Sequence, residues 1–144
     1  MKGKSLENYQ VNVKVKLAFL WTSLMFLYIY ADYFELMTPG KLEKMIQLKT
    51  PMGPTSPGLL MIFALLLAIP ALMIVFSILF EPRLNKWTNV VTGVLYSLIS
   101  ILIIVTTLSS EWHRFYVLYN LLELLVLITI IWQAWRWPEN EHEG

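Results

Sequence analysis

YVLYNLLELLVLITIIWQAW, Tyr116 to Trp135, is the stretch whose reading decides the fold. Its 20 residues suffice for one bilayer crossing, because a hydrocarbon core takes about 20 helical residues. One of them, Glu123, is acidic and sits near the middle. A charge at the bilayer centre costs roughly 2.5–3.5 kcal/mol on insertion scales, so Glu123 is expected to be paired, protonated or facing a cavity. Tyr116, Tyr119 and Asn120 lie seven, four and three positions before it, on one side of a helix. Leu121, Leu125, Ile128 and Ile131 take the other side, suited to lipid or to packing. The stretch predicts a membrane span with a polar spot turned inward.

Outward from it, three charge-free runs appear: Leu17 to Ala31, Thr50 to Phe80 and Trp87 to Ser110. Only 15% of the 144 residues are charged and 57% are hydrophobic. Soluble domains carry about 25% charged residues, so the balance points to a membrane protein. The predicted fold is all-α, a four-helix integral membrane bundle in one domain over residues 1–144. Its spans fall near 15–33, 57–80, 87–108 and 115–135. The basic start resembles a signal peptide, but Asp32-Tyr33-Phe34-Glu35 is no small-residue cleavage site, so the first span is read as retained.

The connections carry their own signals. Thr38 is placed to cap a short helix with Pro39 at its first position. Leu42, Met45 and Ile46 would share one face of it, which suits a helix lying on the membrane surface. Pro51, Gly53, Pro54, Pro57 and Gly58 break the chain before the second span, with Ser56-Pro57 as a helix start. Pro70, in the middle of that span, removes one helical hydrogen bond and is expected to kink the axis. The freed carbonyl then needs a neighbouring hydroxyl or a pocket. Glu81 to Lys86 reads as a charged hairpin turn. In the third span Asn89, Gly93, Tyr96 and Ser100 recur at helical spacing, a stripe fit for close helix packing or for a pocket wall. Trp132, Trp135 and Trp137 form an interfacial belt before the acidic tail, 139–144.

Basic residues set the orientation. With the N-terminus inside, Lys2, Lys4, Lys14, Lys16, Arg83, Lys86 and Arg136 are cytoplasmic, and Lys41, Lys44, Lys49 and Arg114 are outside. The seven-to-four split predicts a cell-membrane protein with both termini cytoplasmic. It also puts Asp32, with Tyr28 one turn deeper, beside the outer half of the fourth span. The candidate ligand-binding residues are therefore Glu123, Asn120, Tyr119, Tyr116, Tyr28 and Asp32.

Several chemistries are excluded or left without residues. There is no cysteine, no Gly-rich phosphate loop and no paired-histidine metal pattern, and neither a metal nor a cofactor is expected. His113 sits in a turn and reads as solvated. The basic residues are dispersed along the chain, so nucleic acid is not an expected partner. No acid/base pair can be assigned, so catalysis is not the favoured reading. The expected partners are the bilayer, a small lipophilic or cationic ligand, and a second copy through the small-residue stripe.

A set of local sequences resembles an uncharacterised family of small prokaryotic four-span membrane proteins, a domain of unknown function. Those sequences are Leu27-Tyr28-Ile29-Tyr30-Ala31-Asp32, Met37-Thr38-Pro39-Gly40, Ile69-Pro70, Arg83-Leu84-Asn85-Lys86-Trp87-Thr88-Asn89, Glu123, and Trp132-Gln133-Ala134-Trp135-Arg136-Trp137-Pro138. The resemblance implies a fold and a membrane location, and no activity. In layout alone the chain is similar to DoxX-like and sterol-isomerase-like four-helix membrane proteins, which place acidic and aromatic residues inside a four-helix cavity. Small multidrug exporters also use one intramembrane Glu, but in the first span, where this chain has Asp32 at the end instead. The function expected is an intrabundle polar pocket centred on Glu123 that binds a small lipophilic or cationic ligand. The alternatives are an oligomeric proton-coupled transporter and a structural or partner-binding subunit.

Overall fold

Four long helices carry the structure, a computed structural model that describes residues 9–50 and 53–138. They are α1 (Val13–Glu35), α3 (Pro57–Leu79), α4 (Pro82–Thr107) and α5 (Arg114–Trp135). Between α1 and α3 lie a short helix, α2 (Lys41–Ile46), and a ribbon of β1 (Lys49–Thr50) against β2 (Gly53–Pro54). The long helices have 22 to 26 residues, or about 33–39 Å at 1.5 Å per residue, and all four are long and apolar enough to cross a membrane. The acidic tail read at 139–144 lies outside the described residues.

Local sequence sets most helix starts. Asn12 caps α1, its side chain accepting from the Lys14 N–H at 2.9 Å. Ser56 caps α3, accepting from the Leu59 N–H at 3.2 Å, with Pro57 at the first helical position. Pro82 opens α4 in the same way, so the link from α3 is only Phe80 and Glu81. The expected turn to Lys86 is thus shorter than read, and Asn85 is already helical. Thr38 does not cap α2. Its hydroxyl donates to the Glu35 carbonyl at 2.7 Å, and Gly40, at φ 74°, precedes the helix instead. Leu42, Met45 and Ile46 are all exposed. The two-residue ribbon was not legible in the sequence, being too short for alternation and ending in Pro54, which lacks an N–H.

The helices run up and down, with α1 packed between α3 and α5, and α4 packed along α5. Consecutive α3 and α4 approach each other closely in few places, which leaves a seam between them. The apolar core sits toward the end that holds Asn12 and Arg136, here the terminal end: Leu17, Trp21, Leu24, Met73, Leu127, Ile130 and Ala134. Trp21 and Tyr96 meet edge to face at 6.5 Å. The stripe on α4 faces inward as expected, with Asn85, Asn89, Gly93, Tyr96 and Ser100 all buried. A Cβ on Gly93 would stand 2.7 Å from Ile131 Cγ1, so glycine is what lets α4 lie so close to α5. Large apolar side chains such as Phe26, Leu65, Leu98 and Leu125 are exposed around the outside. In water such a belt is costly at about 25 cal/mol per Å², and in lipid it is not.

Candidate functional site

Two buried polar clusters occupy the bundle. Near the terminal end Asn89 is the hub of the first. Its Oδ1 accepts from the Trp21 indole N–H at 2.7 Å and from the Ser77 hydroxyl at 3.4 Å. Its Nδ2 donates to Asn85 Oδ1 at 2.6 Å, and Asn85 Nδ2 donates to the Ser77 carbonyl at 2.6 Å. The sequence reads Asn85 as part of the charged hairpin turn and Asn89 as part of the small and polar stripe of the third span. The structure instead buries both amides as a knot joining α1, α3 and α4, because Pro82 starts the helix before them.

The second cluster lines a cleft of about 130 Å³ toward the loop end, where α2 lies. Tyr28, Ala31 and Asp32 come from α1, Leu66 and Leu67 from α3, and Tyr96, Ile99, Ser100 and Ile103 from α4. From α5 come Tyr116, Asn120 and Glu123, one turn apart, which is the spacing read in the sequence. Glu123 is 3% exposed and its Oε2 accepts from the Ser100 hydroxyl at 3.2 Å. Asn120 Nδ2 donates to the Tyr116 carbonyl at 2.8 Å, while its Oδ1 is buried with no hydrogen-bond partner. At the mouth the Tyr116 hydroxyl donates to Asp32 Oδ1 at 3.4 Å, and Asp32 is exposed.

Five of the six predicted residues therefore meet in one cleft. The sixth, Tyr119, does not line it. It is turned toward Phe34 of α1, the ring centroids 6.3 Å apart. Four positions from Glu123 is close to one face, but the residual rotation carries this ring to the α1–α5 seam. The sequence places Ser100 and Tyr96 on a stripe fit for packing or for a pocket wall; they line the cleft, and their contacts with Glu123 and α3 follow only from the fold. The Tyr96 hydroxyl donates to the Leu66 carbonyl at 2.5 Å. Leu66 is four residues before Pro70, so this carbonyl is the one the proline leaves free, and a hydroxyl fills it as expected. His113, read as solvated, accepts from or donates to the Ser110 hydroxyl through Nδ1 at 2.7 Å. Among the described residues no group of three His, Asp or Glu is placed to hold a metal ion.

The cleft can do two things chemically. A buried carboxyl beside an amide oxygen can accept from an ammonium or hydroxyl donor, and it can exchange a proton with a ligand. Neither curated proteins nor solved structures yielded a match to this sequence. Residues 4–143 match the family of unknown function DUF6326, and the chain belongs to that family.

Proposed function

We propose that the cleft is a binding pocket for the head of a small lipophilic or cationic ligand, with Glu123 supplying the charge or hydrogen bond. One observation carries the reading: Glu123, buried with a single hydroxyl partner, faces the same cleft as the unpartnered Asn120 Oδ1. Buried polar atoms are nearly always satisfied, so a cleft that leaves them short of partners is suited to a ligand that completes them. At about 130 Å³ the space takes a head group, since pockets for whole drug-sized ligands run to about 300–1,000 Å³. The apolar remainder would lie along the seam between α3 and α4, past Leu66, Leu67, Ile99 and Ile103. The setting is the cell membrane with both termini cytoplasmic, on the strength of the basic-residue asymmetry. Reporter fusions at each end test that orientation.

The binding test uses the full-length protein in lipid nanodiscs with a short alkyltrimethylammonium and its neutral alkane isostere. The cation should bind in preference to the isostere. Glu123→Gln keeps the shape and cannot ionise, and it should weaken cation binding about tenfold or more, as expected for loss of a buried charge partner. Equal binding by parent and variant across about pH 5–9, where a buried carboxyl titrates, would withdraw the reading. Proton-coupled transport is the competing reading, favoured by Asp32 and Glu123 sharing the cleft. It requires flux of the same cation into liposomes driven by a proton gradient.

A further inference from the structure

At the terminal end the structure gathers what the sequence disperses. The segment before α1, the start of α4 and the end of α5 enclose an open groove of about 1170 Å³. Lys14, Lys16, Arg83, Lys86 and Arg136 line it, and among the described residues no carboxylate does. Glu81 stands next to Pro82 but outside the lining. Among the described residues the ion pairs are Lys41–Glu35 and Arg114–Glu111, both at the loop end. Lys14 donates to the Ile78 carbonyl at 3.2 Å, a neutral partner that leaves its charge uncancelled. Lys86 lies 5.5 Å from the Trp135 ring centre and Arg136 lies 5.1 Å from that of Trp132. These contacts orient the cations and leave them positive. Five like charges in one groove repel one another unless an anion joins them.

We propose that this groove binds the phosphate of an anionic phospholipid. Two observations select a lipid over a soluble anion. Trp87 and Trp132, at 52% and 50% exposure, form amphipathic walls of the kind found at headgroup level. The faces that lead away from them, Val91, Leu95 and Leu98 on α4 and Ile128 and Leu125 on α5, are exposed and apolar, a track for acyl chains. Basic pockets at the ends of membrane helices hold anionic headgroups by this combination of charge and adjoining apolar surface. The site is remote from the Glu123 cleft and its ligand has the opposite charge, so the two readings stand or fall separately.

The test is native mass spectrometry of the full-length protein released from micelles containing equal phosphatidylglycerol and phosphatidylcholine. Phosphatidylglycerol should be retained in preference. Arg83→Gln, Lys86→Gln and Arg136→Gln together should lower its affinity roughly a hundredfold. The charge-keeping set Arg83→Lys, Lys86→Arg and Arg136→Lys should retain binding, and Lys41→Gln with Lys44→Gln, at the loop end, should change nothing. Equal retention of the two lipids overturns the proposal. So does displacement of the lipid by inorganic phosphate, which would make the groove a general anion site. A third overturning result is preferential binding only after residues 139–144 are removed, because the chain's own Glu139, Glu141 and Glu143 would then be the occupants.

Discussion

The knot around Asn89 and the cleft around Glu123 lie along the same buried face of α4, less than the helix length apart, and are built of comparable polar side chains. In the knot each amide answers another group: Trp21, Ser77, Asn85 and Asn89 exchange hydrogen bonds among themselves at 2.6 to 3.4 Å. In the cleft, among the described residues, Glu123 accepts a hydrogen bond from Ser100, Asn120 Oδ1 has no hydrogen-bond partner, and Asp32 is hydrogen-bonded by Tyr116 at a long 3.4 Å. Satisfied polar groups in a low-dielectric interior hold a structure in one arrangement. Under-satisfied groups beside open volume contribute little to the fold, so their presence asks for another reason. The contrast separates a fastening from a site without appeal to any motif.

Breaking the knot should have the largest effect. Asn89→Leu leaves the Trp21 N–H and Asn85 Oδ1 without partners, and at about 1–3 kcal/mol for each the loss should total about 2–6 kcal/mol, read as a fall in the thermal unfolding midpoint in detergent. Tyr96 links the two regions and gives a sharper test. Tyr96→Phe should cost about 1–2 kcal/mol by orphaning the Leu66 carbonyl. In a Pro70→Ala background residue 70 regains its N–H, the carbonyl is satisfied within α3, and the same change should cost close to nothing. A cost that is equal in both backgrounds would dissociate Tyr96 from the proline. The smallest effect on stability is expected in the cleft. Glu123→Leu and Asn120→Leu should stay within about 1 kcal/mol of the parent or gain slightly, since replacing a poorly partnered buried polar group by a hydrophobe is often neutral or favourable. A loss as large as that of Asn89→Leu would make Glu123 a fastening too.

What the sequence discloses here follows from periodicity. Apolar runs locate all four long helices, and the three- and four-residue spacings put Tyr116, Asn120 and Glu123 on one line. The same logic turns the α4 stripe inward. Periodicity is silent about which helix a face meets. That Ser100 answers Glu123, that Tyr96 reaches across to Leu66, and that Asn85 and Asn89 close on Trp21 and Ser77 are facts of pairing between helices. Charges far apart in the chain likewise converge only once the helices fold back on themselves, which is why five dispersed cations did not read as a patch. Tyr119 marks the angular limit of the method, because a face defined to one turn still spans two neighbours.

Gly93 acts as a spacer of zero thickness. With its absent Cβ only 2.7 Å from Ile131 Cγ1, any side chain there must push Ile131 aside, by a turn of that side chain or by parting α4 from α5. Ser100 lies seven residues further along α4 and Glu123 eight residues back along α5, both about 10–12 Å from the wedge at 1.5 Å per residue. Their 3.2 Å hydrogen bond has little slack, and a displacement of a few tenths of an ångström takes it past useful range. Where the helices part, one methyl group on Gly93 detunes the carboxyl from two turns away, leaving Glu123 in place and its bond to Ser100 broken.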